Sequence, residues 1–273
     1  MNPVFANSAF VTVPERLFLR GGTWRRVRLK VRYGIFVHPE AGPVLIDTGY
    51  GPRVTCGPRS LLLRLYDAIL RPELAKEGQP GSVLRKLGFT LDDVGTVIVT
   101  HFHADHVAGL DLFPKARILT KAEVLGRVLN QRTRKNLRHG IFTELLPSDL
   151  ASRVADIDGY ALRPAPLGLG SGHDLLGDGS LLAIDLPGHA DGHFGLCFAG
   201  LAEPLLYAVD AQWCAEALED ERRPGFPASL IADAPSALAE STRRVLAFRR
   251  AGGKVLLCHD PAVAPFDLPE ERP

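Results

Sequence analysis

The chain has 273 residues, of which 46% are hydrophobic and 23% are charged, with a formal net charge of +1. This size and balance are typical of a globular protein of one or two domains, and the near-zero charge gives no support for a general nucleic-acid-binding role. No signal peptide, no apolar run of about 18 residues and no Cys-x-x-Cys pair is evident, so we expect a cytoplasmic protein with free thiols and no membrane anchor.

The first regular pattern is an alternation of apolar and basic side chains within residues 17–38, which predicts a strand with one solvent-facing side. The alternating residues are Arg26, Val27, Arg28, Leu29, Lys30, Val31 and Arg32. No aromatic residues interleave for base stacking, so we interpret the charges as a solvated strand face and not as a nucleic-acid surface.

A second strand, Val44–Ile46, leads directly into Asp47, Thr48 and Gly49. Three roles are open for Asp47: a metal ligand, a carboxylate behind a metal-bound histidine, or a turn residue. We favour the second role, because metal-bound histidines usually need a carboxylate or carbonyl that accepts their other N–H.

Residues 61–70 predict an amphipathic helix, with Leu62, Leu65, Tyr66 and Ile69 on one stripe. We expect this stripe to pack on the core, because most amphipathic helices do so. The alternative is a lid or pocket wall for an apolar substrate, in which Tyr66 would be a pocket residue.

The most informative pattern is His101-x-His103-x-Asp105-His106, which follows the apolar run Val97–Val99. His101 and His103 are two residues apart, so in an extended chain they point to the same side. His101 and His103 could therefore bind one metal ion together. Asp105 and His106 are adjacent and need a turn to diverge, so they are better suited to bind a second metal ion. Imidazole and carboxylate ligands without thiolate favour zinc or another borderline divalent ion.

The second half of the chain also consists mainly of predicted strands. Asp178-Gly179 predicts a hairpin, and Pro187-Gly188 predicts a tight turn that presents His189 as the third ligand of the first metal. His193 is four residues further on, but the flanking glycines argue against a helical zinc motif. We therefore expect His193 to have a structural role or to support a ligand.

Two further strands end in residues that can bind a metal. Leu205–Val209 precedes Asp210, and Val255–Cys258 precedes His259. Candidate ligands occur in both halves and no linker separates them, so we predict a single domain, residues 1–273, with its site where the two halves meet.

Five segments, in this order along the chain, resemble the metallo-β-lactamase superfamily. They are Leu45-Ile46-Asp47-Thr48-Gly49, His101-x-His103-x-Asp105-His106, Pro187-Gly188-His189, Val209-Asp210 and Cys258-His259-Asp260. The resemblance implies an α+β fold, an αβ/βα four-layer sandwich of two mixed sheets with helices outside.

The resemblance also implies a ligand set for two zinc ions per chain, with iron, cobalt or manganese as substitutes. His101, His103 and His189 would hold one metal, Asp105, His106 and His259 the other, and Asp210 would bridge them. A hydroxide held between the metals would attack a carbonyl carbon. Asp105 and Asp210 are the implied catalytic residues, and Asp105 is placed to accept and return a proton.

Within the superfamily, the segments look most like N-acyl homoserine lactonases. This implies an enzyme acting on ester bonds (class EC 3.1.1), whose small-molecule substrate carries an apolar acyl arm, and it allows a homodimer. Glyoxalase II-like thioester hydrolysis is the first alternative, followed by phosphodiester or RNA cleavage and by a non-catalytic metal-binding relative. We expect no nucleic-acid partner and no membrane partner. The sequence departs from the lactonases at Trp213, a candidate pocket residue that stands where many of them carry a tyrosine.

Overall fold

In the computed structural model, which describes residues 2–269, the chain packs as two compact units. The first unit comprises Met1–Val13, Val27–Ala155 and Pro261–Pro273, and the second comprises Pro14–Arg26 and Asp156–Asp260. The prediction of a single domain over residues 1–273 stays a prediction, and its last four residues lie outside the described range.

The strands fall into two sheets, one in each unit. In chain order they are β1 (Val4–Pro14), β2 (Arg26–His38), β3 (Gly42–Ile46), β4 (Glu73–Leu74), β5 (Thr96–Ile98), β6 (Arg117–Thr120), β7 (Val154–Asp156), β8 (Leu162–Pro164), β9 (Ser171–Asp174), β10 (Leu181–Asp185), β11 (Phe194–Phe198), β12 (Leu205–Val209) and β13 (Lys254–Leu257).

The α-helices are mostly short. In chain order they are α1 (Glu15–Phe18), α2 (Pro52–Thr55), α3 (Leu61–Leu70), α4 (Pro80–Lys86), α5 (Ala104–Val107), α6 (Ala122–Asn130), α7 (Thr133–Arg138), α8 (Leu150–Arg153), α9 (Ala215–Glu219) and α10 (Pro235–Arg250). Within residues 2–269, no helix is both long enough and apolar enough to cross a bilayer.

The sheet of the first unit has the order β4-β1-β2-β3-β5-β6-β7. It is mixed, because β2 and β3 pair antiparallel whereas β3, β5 and β6 run parallel. The parallel arrangement brings the carboxyl ends of β3 and β5 to the same edge, with Ile46 opposite Ile98. Asp47 and the histidine motif both follow this edge.

The sheet of the second unit has the order β13-β12-β11-β10-β9-β8. Its neighbours pair antiparallel from β8 to β12, and β13 joins β12 in parallel. The hairpin predicted at Asp178-Gly179 is confirmed, because β9 and β10 pair antiparallel on either side of it. Asp210 and His259 follow two adjacent parallel strands, β12 and β13.

The strand predicted from alternating charges is present as β2, but the prediction that its basic side is solvated is wrong for two residues. Lys30 is 4% exposed and Arg32 is 1% exposed. Both contact the carboxylate of Asp267, at 3.3 Å for Lys30 Nζ and 2.8 Å for Arg32 Nε. Asp267 is more than 200 residues away along the chain, so the alternation could not reveal this pairing.

The helix predicted over residues 61–70 is present as α3, but the expected packing of its apolar stripe is wrong. Leu62, Leu65 and Ile69 are 47%, 54% and 69% exposed. Instead, Leu63 is the buried residue of this helix, and half-buried Tyr66 packs on Phe142 at 4.9 Å between ring centroids. The helix therefore presents an apolar face to solvent.

Candidate metal centre

In the first unit, the histidine motif lies just beyond the carboxyl end of β5. Its last two polar residues, Asp105 and His106, lie in the single turn of α5, which supplies the turn that the sequence required. His101, His103, Asp105 and His106 are all buried. Nε2 of His101 lies 3.0 Å from Nδ1 of His103, and the His101 and His106 rings lie 4.0 Å apart.

Asp47 organises these imidazoles from behind. Its carboxylate accepts hydrogen bonds from the Thr100 backbone N–H and hydroxyl, both at 2.9 Å. The other contact is with Nδ1 of His106, 2.9 Å from Oδ2, and both side chains are fully buried. A carboxylate behind a metal-bound histidine would make this contact, and the supporting role of Asp47 stays a prediction.

These contacts determine which ring nitrogens carry hydrogen. The Thr100 hydroxyl donates to Asp47, so its 3.1 Å contact with Nδ1 of His101 requires that nitrogen to donate. Nδ1 of His106 likewise donates to Asp47. In a neutral ring with Nδ1 protonated, Nε2 carries the lone pair with which imidazole binds a metal. For His101 this Nε2 lies 3.0 Å from Nδ1 of His103.

The backbone at Asp47 is held in an uncommon conformation, with φ of 57°. A left-handed residue other than glycine costs about 1–3 kcal/mol and persists only where its surroundings fix it. Here the Asp47 N–H donates to the Ile98 carbonyl at 2.8 Å, and the Thr48 N–H donates to the His106 carbonyl at 2.9 Å. The turn after β3 is thereby joined to the histidine motif.

In the second unit, a glycine turn positions His189. Gly188 has φ of 119°, and a Cβ at this position would come within 2.0 Å of the Leu238 backbone nitrogen in α10. Only glycine fits both the conformation and the close approach. The tight turn predicted at Pro187-Gly188 is therefore required by the packing of α10, and it leaves the His189 side chain buried.

The carboxylate of Asp210 lies between two imidazoles. Oδ2 is 3.2 Å from Nε2 of His189, and Oδ1 is 3.3 Å from Nε2 of His259. Burial alone would lower the pKa of His259, but the Cys258 thiol and the Asp210 carboxylate outweigh it and raise that pKa well above 6.5. One carboxylate oxygen facing each ring is an arrangement in which a carboxylate can be shared by two cations.

His193 uses both ring nitrogens within the protein. Nδ1 donates to the Leu186 carbonyl at 2.7 Å, and Nε2 accepts from the Asp210 backbone N–H at 3.3 Å. The ring therefore has the Nδ1-protonated form and no lone pair directed away from its partners. This geometry fits the predicted supporting role and positions the backbone of Asp210.

Val209, just before Asp210, also has a left-handed backbone, with φ of 53°. For a β-branched residue this conformation is unusual and marks a constrained turn. The β12–β13 pairing shifts register at this point, and the Cys258 N–H donates to the Val209 carbonyl at 3.0 Å. Asp47 and Asp210, which each contact a histidine, thus lie at strand ends where the backbone has a left-handed residue.

Trp213 contacts the same group of residues. Its ring lies edge-on to His259 with centroids 5.6 Å apart, and it stacks on Phe18 at 6.0 Å. A cavity of about 570 Å³ opens beside it, with the metal-capable residues His189 and Asp210 in its wall. Trp213, which we predicted to be a pocket residue, therefore lines a cavity, and its contact with substrate stays a prediction.

Tyr66, the other predicted pocket residue, lies in the first unit and does not line this cavity. Its hydroxyl forms a hydrogen bond with the hydroxyl of Tyr50. Sequence reasoning missed Thr100, although this residue directly precedes the motif. It also missed Phe18 and Arg20, which approach the cavity from a segment almost 200 residues away and carry no motif.

The donor set fits a divalent cation. Each unit gathers buried imidazole nitrogens and carboxylate oxygens at hydrogen-bond distances, a costly arrangement that a bound cation would stabilise. In the second unit, ligand atoms of Asp210, Cys258 and His259 lie within 4.8 Å of one another. The thiol of Cys258 belongs to a ligand-capable group that the sequence analysis did not include.

A sequence profile of the Metallo-beta-lactamase superfamily matches residues 31–258. The chain therefore belongs to this superfamily, and the family and fold predicted from the five segments are confirmed. The membership and the buried His and Asp side chains together indicate a divalent-metal protein.

Three known proteins illustrate the similarity. The chain is 29% identical over 242 residues to the N-acyl homoserine lactonase AttM of Rhizobium johnstonii, covering 86% of this chain and 83% of that protein. A crystal structure of a B. thuringiensis AiiA mutant with N-decanoyl-L-homoserine bound at the active site matches with a TM-score of 0.71 at 18% identity, covering 94% and 92% of the two chains. AidC, described as a dizinc quorum-quenching lactonase in complex with a product, matches with a TM-score of 0.65 at 14% identity, covering 95% and 87%. The prediction of a hydrolase is confirmed.

Proposed function

We propose that this protein is a dinuclear zinc hydrolase that opens a lactone or cleaves an ester, with an N-acyl homoserine lactone as its substrate. The observation that carries the proposal is the position of Asp210, whose two carboxylate oxygens face His189 and His259 separately. The similarity to AttM supports the choice of substrate.

The proposed ligand assignment follows the motifs of the superfamily. His101, His103 and His189 would hold one zinc, Asp105, His106 and His259 would hold the other, and Asp210 would contact both. Asp47 and His193 support this set, because each fixes the orientation of a neighbouring ligand through a buried hydrogen bond. Loss of such supporting contacts weakens metal sites substantially.

When bound, the zinc ions lower the pKa of a water molecule and polarise the carbonyl oxygen of the substrate. The carboxylate of Asp105, whose Oδ2 lies 3.7 Å from Nε2 of His106, takes the proton of the attacking water and returns it to the leaving alkoxide. Trp213 and Leu238, which line the cavity, supply apolar surface for the acyl arm.

A panel of initial rates tests the proposal. The panel contains short- and long-chain acyl homoserine lactones, an aryl ester, an acyl thioester and bis-nitrophenyl phosphate. We expect the highest kcat/KM on a lactone and a loss of about a thousandfold or more in His106→Ala, since hydrolysis depends on the metal-activated water. The control is His139→Ala, a histidine outside the proposed ligand set, which should hydrolyse the lactone normally.

If the protein hydrolyses the thioester fastest, the proposal that it is a hydrolase would stand, but the proposal that its substrate is a lactone would be overturned. Preference for the phosphodiester would overturn ester chemistry. Absence of hydrolysis of all five compounds by zinc-loaded protein would overturn the proposal as a whole.

A further inference from the structure

The cavity beside Trp213 has a buried end and a solvent end. His189 and Asp210 are buried, whereas Arg20 and Arg223, which also line the cavity, are exposed. A molecule in the cavity would therefore meet the proposed metal ligands at one end and two guanidinium groups at the other.

Arg20 and Arg223 are brought together by the backbone. Leu19 and Pro224 form an antiparallel bridge, and the Arg20 N–H donates to the Arg223 carbonyl at 3.0 Å. The two arginines are thus directly opposite across this pair. Like charges in that arrangement repel and destabilise the pairing.

The approach of these two segments depends on Gly225. A Cβ at this position would come within 2.5 Å of the Arg16 carbonyl oxygen and 3.0 Å of Leu19 backbone atoms. The Gly225 N–H donates to the Phe18 carbonyl at 3.0 Å, which extends the contact. The fold therefore holds the two arginines together in spite of their repulsion.

The other arginines of the cavity wall have acidic partners. Arg222 pairs with Asp220 at 3.2 Å, and Arg243 pairs with Glu240 at 2.5 Å. Among residues 2–269, neither Arg20 nor Arg223 forms an ion pair. Glu221, an exposed acid that lines the cavity, also forms no ion pair with a described residue, so the charges of Arg20, Arg223 and Glu221 sum to +1.

We propose that Arg20 and Arg223 recognise an anionic group at the far end of the substrate, either a carboxylate or a phosphate. The proposal rests on the proposed function, because it takes the ester or lactone to be the group held at His189 and Asp210. The inference narrows the proposed substrate to an acyl homoserine lactone or related ester whose otherwise apolar acyl arm ends in an oxyanion. Guanidinium groups suit both oxyanions, because their planar N–H donors match the oxygen geometry.

The first test compares nitrophenyl esters that differ only at the far end of a six-carbon acyl arm. One ends in a carboxylate, one in a phosphate and one in a neutral methyl ester. We expect at least one charged ester to have a kcat/KM about tenfold above the neutral one, chiefly through a lower KM, since a charge-assisted contact at the binding end acts on affinity. Added salt should reduce the ratio.

The variants test the assignment to these residues. The double substitution Arg20→Gln with Arg223→Gln should reduce the charged-to-neutral ratio to within about twofold of unity, while Arg20→Lys with Arg223→Lys should retain part of it. Arg249→Gln is the matched control, because this arginine pairs with Glu219 and lies outside the cavity wall. A ratio of about one in the wild type, or an unchanged ratio in the glutamine variant, overturns the proposal.

A binding measurement separates this proposal from the proposed function. Calorimetric titration uses amide analogues of the same three arms, which cannot be cleaved as esters. If the charged analogues bind more tightly than the neutral one but no ester is hydrolysed, the proposed anion site would stand and the proposed hydrolase function would be overturned. Hydrolysis without charge selectivity would retain the hydrolase and overturn the anion site. The absence of both would overturn both.

Discussion

Oδ2 of Asp47 and Nδ1 of His106 lie 2.9 Å apart, and both side chains are fully buried. The two residues are 59 positions apart, and the parallel pairing of β3 with β5 brings them to one sheet edge. In the neutral ring, this contact places the hydrogen on Nδ1 and the metal-binding lone pair on Nε2 of His106. The metal affinity of the protein should therefore depend on a residue that we do not place among the ligands.

Replacing Asp47 by asparagine tests this dependence. The side chain keeps its shape but loses the charge that holds His106 in one tautomer. We expect zinc affinity to fall by about 10- to 100-fold, as for other carboxylates that support metal-bound histidines. Competition with a chromophoric chelator measures it, with Asp111→Asn on the exposed surface as the control. Equal affinity in the two variants would contradict the supporting role.

His193 supports the second unit in a comparable way. His193→Ala leaves the buried Leu186 carbonyl and the Asp210 N–H without their present partner. We expect the free energy of unfolding to fall by about 2–4 kcal/mol, since each such group costs about 1–3 kcal/mol. Zinc affinity should fall as well, because the Asp210 backbone loses its anchor.

Urea unfolding measures the effect, and His173→Ala is the matched control. His173 is half-buried; its Nδ1 lies 3.1 Å from the Tyr160 carbonyl and its Nε2 lies 3.5 Å from the exposed carboxylate of Asp158, so its loss should cost less than about 1 kcal/mol. Complete loss of one metal with unchanged stability would instead make His193 a ligand.

The sequence could predict the strand end before His101 and the turn before His189, because these signals are local; the ligand roles themselves stay predictions. A β-branched run before His101 predicts a strand end, and Pro187-Gly188 predicts the turn before His189. The supporting contacts were harder to predict, since they join distant segments. Thr100 acquires its role only when β3 pairs with β5, and Phe18 meets Trp213 only after folding brings together segments 195 residues apart. The exposed stripe of α3 shows that periodicity indicates an apolar face but not its partner.

Asp267 illustrates the same limit and gives a pH prediction. Burial alone would raise its pKa, but the hydrogen bonds and charge of Arg32, with Lys30, lower that pKa below 3.8. The stabilisation by the ionised carboxylate is thus complete above about pH 4 and is lost as the pH falls through the lower folded-state pKa. Asp267→Asn should lower the free energy of unfolding at pH 7 by about 3 kcal/mol.

The difference between wild type and Asp267→Asn should shrink as the pH falls below about 4 and the wild-type carboxylate is protonated. Chemical denaturation across this range measures it. Glu73→Gln is the control, because the Arg28–Glu73 pair has a similar distance of 3.0 Å but is exposed, and it should cost less than about 1 kcal/mol. Equal costs at the two sites would contradict a buried ion pair at Asp267.

The cysteines give a simple chemical test of burial. Cys56 is exposed, whereas Cys197, Cys214 and Cys258 are buried and all four are free thiols. Burial raises the pKa of the Cys197 thiol to about 12. A disulfide reagent at pH 8 should therefore modify one thiol per native chain rapidly and all four in denaturant, with Cys56→Ser abolishing the fast phase. Rapid modification of two or more thiols in the native chain would contradict the burial of Cys197, Cys214 and Cys258.

The metal content of the purified protein tests the central claim most directly. Elemental analysis after zinc repletion and removal of loose metal should give about two zinc ions per chain, falling in Asp210→Ala, whose carboxylate is proposed to contact both. Lactone or ester hydrolysis should fall in parallel with that loss. Fewer than about one zinc per wild-type chain, with no hydrolysis, would contradict a dinuclear hydrolase.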